Sequence, residues 1–262
     1  MNSESTILRI DNVSKKFGGL IAIDEVSFSL SKGQIKAIIG PNGAGKTTLF
    51  NLISGTYPVS TGNIYLKNKN ITNMRPYRIN SFGISRTFQL VKLFYNMTVL
   101  ENVMVGRHTK TRSEIFSSAL RLKRTRKEEA EIRDAAMKTL AIFGLDTKAL
   151  DSSDSLTLGE QKMLEVARAL SSEPEILLLD EPVAGLNDAE VEGFEYILKK
   201  IQGMGITILL VEHHMGFVLG ISDEIVVLNY GVKIAEGPPR EIQNNEDVIA
   251  AYLGKGTHYA ES

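Results

Sequence analysis

Gly40-Pro41-Asn42-Gly43-Ala44-Gly45-Lys46-Thr47 satisfies G-x-x-x-x-G-K-[ST] at every fixed position. The residue types state the chemistry. Glycines let successive backbone N–H groups turn inward around phosphates, and a helix N-terminus adds positive potential. Lys46 reaches the β and γ phosphates, and Thr47 offers a hydroxyl to Mg²⁺. Such a loop requires a carboxylate at the end of a neighbouring strand to hold Mg²⁺ through its water shell, and Ile176-Leu177-Leu178-Leu179-Asp180 supplies one. Glu181 follows it and is the candidate to orient or deprotonate an attacking water. His213 lies just past the apolar run Ile206–Val211, placed for a γ-phosphate contact, while His214 beside it reads as an exposed neighbour.

The elements that must position these groups are legible from periodicity. Short strands are predicted at Ile7–Ile10, Val26–Leu30 and Ile35–Ile39, the last running straight into Gly40. After Lys46 the spacing of Leu49, Phe50, Leu52 and Ile53 predicts a helix that stops at Gly55 in the position of a left-handed cap. Strand-like pieces follow at Asn63–Leu66 and Ile84–Thr87. From Val99 to Leu170 strand signals vanish, and Glu128–Phe143 carries Ile132, Ala136, Leu140 and Phe143 on one helical face. From Ile176 the alternation returns: strand Ile176–Leu179, helix Asp188–Gln202, strand Ile206–Val211, strand Ile225–Leu228. Alternating strands and helices imply a parallel sheet covered on both faces. The expected organisation is an α/β nucleotide-binding core in two sequence halves, residues 1–95 and 171–262, with a helical unit over 96–170 between them.

Composition narrows the classes. The 262 residues are 43% hydrophobic and 23% charged, which suits a globular chain with a sizeable core. The longest apolar runs are far below the roughly 20 residues a bilayer crossing needs. Cysteine is absent, which excludes disulfides and thiolate metal sites. The N-terminus carries no basic-then-apolar signal, so a cytoplasmic chain is expected. With 30 Lys plus Arg against 31 Asp plus Glu, charge makes no case for a nucleic-acid partner. One local excess stands out: Arg107, Lys110, Arg112, Arg121, Lys123, Arg124, Arg126 and Lys127 face the single acid Glu114. Such a run is either solvated helix surface or a contact for anionic headgroups.

Taken in chain order, these residues resemble the ATPase subunit of ABC transporters, and the resemblance spans nearly the whole chain. Thr157-Leu158-Gly159-Glu160-Gln161 stands where that family carries its signature loop. The resemblance implies a P-loop NTPase core of the ABC type, with an N-terminal antiparallel β-subdomain and an inserted α-helical subdomain. It implies that Phe17 stacks on adenine and that Gly40 through Thr48 bind the phosphates of ATP. Gln89 would touch Mg²⁺ and the water, and Thr157, Gly159 and Glu160 would meet the γ-phosphate held by an opposite subunit. The signature departs from the common Leu-Ser-Gly-Gly-Gln: Thr157 keeps the hydroxyl and Gly159 the close backbone approach, while Leu158 and Glu160 are substitutions. Asn187 replaces the usual Asp of the following loop, and with Glu190 three residues later it also makes a helix N-cap.

Arg86-Thr87-Phe88-Gln89, Leu93-Phe94, Met97 through Val103, Glu181 through Asn187, Val211 through Met215 and Ala250 through Gly254 resemble most closely the branched-chain amino-acid import ATPases. Membership implies a second ABC ATPase as partner in a homo- or heterodimer. It also implies two transmembrane permease subunits, an indirect link to a periplasmic or extracellular solute-binding protein, and a place on the inner face of the membrane. Urea and amide importers use similar ATPases, and a soluble non-transport ABC protein is the alternative from another class. The apolar stretch Leu90, Val91, Leu93, Phe94 and Met97 reads either as a partner groove or as packing beneath the helical subdomain.

Overall fold

The computed structural model describes residues 5–87, 92–107 and 122–253. Gln89 and the basic side chains from Lys110 to Lys127 lie outside the described ones, so neither the glutamine contact nor the headgroup contact is placed by it. The chain opens with two long antiparallel strands, β1 (Thr6–Phe17) and β2 (Leu20–Ser31), joined at the Gly18-Gly19 turn. Both outrun the sequence expectation because bulges around Asp11 to Lys15 shift the register and break the apolar alternation. β4 (Thr61–Leu66) and the two-residue β5 (Lys69–Asn70) complete a sheet of order β2-β1-β4-β5.

The second sheet runs β10-β9-β3-β8-β7-β6 among the described residues. Its strands are β3 (Ile35–Ile39), β6 (Ile84–Arg86), β7 (Ile176–Asp180), β8 (Thr207–Val211), β9 (Glu224–Asn229) and β10 (Val232–Gly237). All are parallel except β10, which returns antiparallel to β9 through the Tyr230-Gly231 turn. Side-chain alternation explains the layering. Ile35, Ala37, Leu177, Leu179, Ile208, Leu210, Ile225 and Val227 face one core; Ile38, Leu178, Leu209, Val211, Val226 and Leu228 face the other. Strands apolar on both faces are what a parallel sheet covered twice requires.

The first face is covered by α5 (Leu158–Leu170), α6 (Asp188–Gly203) and α7 (Met215–Ile221), through Leu164, Phe194, Leu198 and Phe217. The other carries α1 (Lys46–Ile53) and the antiparallel sheet, through Leu49, Phe50, Ile10 and Leu30. One face is thus roofed partly by a sheet rather than by helices alone. α3 (Val99–Arg107) and α4 (Leu122–Ile142) pack with α5 as the helical unit, and Ala136 and Leu140 are buried as the periodicity predicts. Short α2 (Pro76–Ser81), α8 (Pro239–Gln243) and α9 (Glu246–Leu253) were not apparent from periodicity.

A charged staple ties the layers. Lys36 on β3 is fully buried, and its ammonium meets Glu224 at 2.8 Å on β9, Glu236 at 2.7 Å on β10, and the Ser29 carbonyl on β2. Burial pulls the Glu224 carboxyl upward, but the hydrogen bond and charge of Lys36 outweigh it and hold that group below the ordinary carboxylate range.

Candidate functional site

The parallel strands all end on one edge, and each expected group sits just past such an end: Gly40 after β3, Asp180 at the tip of β7, His213 two residues beyond β8. This is where open α/β sheets bind ligands, because the loops leaving the strands converge there. The phosphate loop leaves β3 under tight constraint. Gly40 has φ 148°, and a Cβ on it would lie 2.1 Å from the Leu228 carbonyl of β9. Gly45 has φ 101°, and a Cβ there would meet the Ala22 carbonyl at 2.7 Å. Gly231 braces the loop from behind, donating to the Ala44 carbonyl at 3.0 Å and accepting from Asp24 N–H at 2.9 Å.

α1 then starts at Lys46 with no capping side chain, so its first N–H groups lack intrahelical acceptors. They face a cavity of about 580 Å³ lined by residues 42–48, residues 20–22, Glu181 and Tyr230. That size falls in the ordinary small-molecule range. The Lys46 ammonium is folded back over its own loop, donating to the carbonyls of Gly40 at 2.6 Å and Pro41 at 3.0 Å. A cradle of donors with a poised cation and, among the described residues, no acidic lining besides Glu181 suits an anionic, phosphate-bearing ligand.

Asp180 is buried. Its Oδ2 accepts from Arg86 at 2.8 Å, while Oδ1 has no hydrogen-bond partner among the described residues. Burial raises its carboxyl above the ordinary value, with Arg86 opposing and the charges of Glu181 and Glu212 adding to the rise. A buried acid oxygen left without a donor is a fitting ligand for a divalent cation or its water. Glu181 adopts φ 49°, a left-handed conformation that costs a non-glycine residue about 1–3 kcal/mol and turns its side chain out of the strand direction. Its N–H donates to Val211 at 2.9 Å, and its carbonyl accepts from Lys162 of α5 at 3.1 Å. Burial lowers the Lys162 ammonium, although Glu212, Glu165 and Glu181 pull it the other way.

His213 Nδ1 stands 3.9 Å from Glu181 Oε2, so the expected base and histidine are brought together. The loop that carries His213 rests on Glu212. Its carboxylate is wholly buried and accepts N–H from His213 at 2.6 Å, His214 at 3.0 Å and Val183 at 3.2 Å. One side chain therefore fixes the loop after β8 and the loop after β7. The only sequence signal was an acid at the tip of an apolar strand. His214 is exposed as expected, but it also caps α7: its Nδ1 accepts from Phe217 N–H at 3.2 Å.

Phe17, at the end of β1, is 43% exposed and does not line the cavity; Tyr57 meets its ring edge-on at 5.5 Å. Thr157, Gly159 and Glu160 do not line it either. Thr157 caps α5 by accepting from Glu160 N–H, and the Glu160 carboxylate returns to Thr157 N–H. Lys148, 2.5 Å away, holds that carboxyl below the usual range. Asn187 and Glu190 form the matching box at the start of α6. The Glu190 side chain lies where a Cβ on Gly159 would be, at 2.8 Å, so the signature loop packs against this second cap. Of the stretch after Gln89, Leu90 and Val91 lie outside the described residues; Leu93 is core, while Phe94 is exposed and, with Tyr77, Tyr95, Arg86 and Arg168, lines a groove of about 840 Å³ at the β6 edge.

Among known proteins, the family model described as ABC transporter matches residues 23–184, and one described as Branched-chain amino acid ATP-binding cassette transporter matches residues 232–258. The chain is 42% identical over 250 residues to the high-affinity branched-chain amino acid transport ATP-binding protein LivG of Salmonella typhimurium, covering 95% of this chain and 98% of that protein. It is 39% identical to the corresponding protein BraF of Pseudomonas aeruginosa over 95% of this chain and 98% of BraF. A nucleotide-free ATP-binding cassette from an ABC transporter superposes with TM-score 0.83 at 36% identity, over 95% of this chain and 99% of that one. The ADP conformation of such a cassette does so with TM-score 0.83 at 33% identity and the same coverage. With a transporter model over more than half its length and relatives this similar along nearly all of it, the chain belongs to the ABC transporter ATP-binding family.

Proposed function

We propose that this chain is the subunit that binds and hydrolyses ATP to drive import of branched-chain amino acids, or closely related small solutes, by an ABC transporter. The observation that carries the proposal is the donor-lined cavity of residues 42–48 with Glu181 at its wall and His213 3.9 Å from that carboxylate. The solute assignment rests on the relatives, whose names specify branched-chain amino acid transport along nearly their whole length.

In this reading the backbone of residues 42–48 and Lys46 bind the phosphates, which requires Lys46 to leave the carbonyls it now holds. Thr47, Asp180 and Gln89 hold Mg²⁺, which when bound neutralises phosphate charge. Glu181 orients and deprotonates water, and His213 contacts the γ-phosphate. Phe17 stacks on the base. Thr157, Gly159 and Glu160 lie off the cavity, which suits service to the site of a second ATPase subunit. The groove beside Phe94 and Tyr95 offers apolar area to a permease, so the working position is peripheral, on the inner face of the membrane.

The test is nucleotide binding by the isolated chain with ATP and Mg²⁺. Lys46→Ala should weaken it at least tenfold while leaving the melting temperature close to wild type. Unchanged affinity would remove the reading. Loss of labelled leucine uptake in a deletion strain, restored by wild type and not by Lys46→Ala, checks the solute class.

A further inference from the structure

Asp180 is held by Arg86, a cation of the Arg86-Thr87-Phe88-Gln89 run to which no role at the site has been assigned above. Arg86 ends β6, beside β7, with Arg86 in register with Leu178. Its Nη2 donates to Asp180 Oδ2 at 2.8 Å, and its Nη1 donates to Asn51 Oδ1 at 2.7 Å and Ser54 Oγ at 2.8 Å. Asn51 belongs to α1 and Ser54 caps its C-terminal end, while the Phe50 ring of the same helix lies 5.6 Å from the guanidinium. The side chain is 12% exposed against 1% for Asp180, so the pair is shielded from water on both sides.

A carboxylate on a short stem has a broad, two-fold terminal torsion, and alone it could turn either oxygen toward the phosphate loop. A guanidinium presents donors in a rigid plane, so one end can grip α1 while the other fixes a single carboxylate oxygen. With Oδ2 taken, Oδ1 is the oxygen left without a protein donor among the described residues. The same α1 carries Thr47 in its first turn, so Arg86 references two of the three protein groups read as metal-side, Thr47 and Asp180, to one rigid element.

We propose that Arg86 is a positioning residue for the divalent cation: by occupying Oδ2 and anchoring to α1, it commits Asp180 Oδ1 to Mg²⁺. The proposal rests on the reading of Asp180 as the metal-side acid. It predicts a cost in metal use rather than in nucleotide affinity as such. Removing a group that orients a metal ligand typically weakens metal affinity 10–100-fold, and the repulsion Arg86 itself exerts on a cation reduces that loss.

The experiment titrates Mg²⁺ against binding of a fluorescent ATP analogue to the isolated chain, with binding in chelator and thermal melting recorded in parallel. Arg86→Gln should raise the half-saturating Mg²⁺ about tenfold with metal-free binding unchanged. Arg86→Lys, which keeps the charge but not the fork, should still raise it several-fold. Should Arg86→Gln fail to fold, Asn51→Ala loosens the anchor while leaving the ion pair, and should shift it in the same direction by a smaller factor. Wild-type half-saturation in folded Arg86 or Asn51 variants, with a clear rise in Asp180→Asn, overturns the role of Arg86. No rise in Asp180→Asn overturns the metal-side reading of Asp180 instead.

Discussion

Glu212 offers the sharpest test of how the site is built, because one buried side chain anchors two loops. In Glu212→Gln only one amide oxygen remains to accept. Facing His213 and His214, it keeps their two bonds and sets an NH₂ against Val183 N–H; turned over, it keeps Val183 and loses both histidine N–H groups. The less costly rotamer loses one bond to a charged acceptor, about 1.5–3 kcal/mol. It also weakens the other two, since charge-assisted bonds are roughly twice as strong as neutral ones. The expected loss is about 3–4 kcal/mol. In urea unfolding this lowers the midpoint by roughly 1–2 M with the slope unchanged, for slopes of about 2–3 kcal/mol per M. Analogue binding by the phosphate loop should survive in the folded variant, while hydrolysis with the partner ATPase falls, because His213 and the segment after Glu181 lose their common anchor. A midpoint within about 0.2 M of wild type, together with normal turnover, would refute the argument that this carboxylate holds the site together.

Glu181→Gln, which keeps the size and hydrogen-bonding capacity of the side chain, should retain nucleotide and melt near wild type, yet lose turnover by about 10²–10⁴-fold if general-base catalysis is the main loss; phosphate release measured with the partner ATPase decides it, and wild-type turnover would remove the assignment. The Lys36 staple should make the fold acid-sensitive. The folded Glu224 carboxyl lies below its unfolded value, so its contribution is full above the ordinary carboxylate range and disappears as pH falls through the folded value. Urea midpoints measured between pH 7 and pH 3.5 should fall with acid in wild type, and less steeply in Lys36→Met.

What could be read from the chain in advance was local. The loop from Gly40 to Thr47 is contiguous, β3 has the predicted ends although Lys36 interrupts its apolar residues, and the Asn187–Glu190 cap declares itself by spacing alone. Arg86 and Glu212 could not be recognised, because their partners are distant in sequence: Asp180 for the first, Val183 for the second. β10, Val-Lys-Ile-Ala-Glu-Gly, escaped notice because its side chains are mostly half-exposed at the sheet edge and its charges serve Lys36 and Lys233 pairs. β1 continued past its apolar start because a bulge at Asn12 lets Asp11 and Lys15 stay in the ladder. His214 joined a helix too short to show a period.

The order of strands also governs when the site can exist during synthesis. β3, which launches the phosphate loop, has as its two neighbours β8 and β9, pairing Ile35 with Ile208 and Lys36 with Glu224. A growing chain therefore carries the whole glycine loop long before it has either flanking strand, and Leu228, whose carbonyl closes over Gly40, arrives only with the second of them, β9. About 190 residues separate the end of β3 from the end of β9, a wait of roughly 10–40 s at about 5–20 residues per second. Throughout it the ligand has no cradle to stabilise by mass action, and Ile35–Ile39 offers two bare edges to any other strand. Nucleotide can guard the finished subunit against unfolding but cannot template the nascent one, so protection of the first half on the ribosome must come from its own antiparallel sheet or from a chaperone.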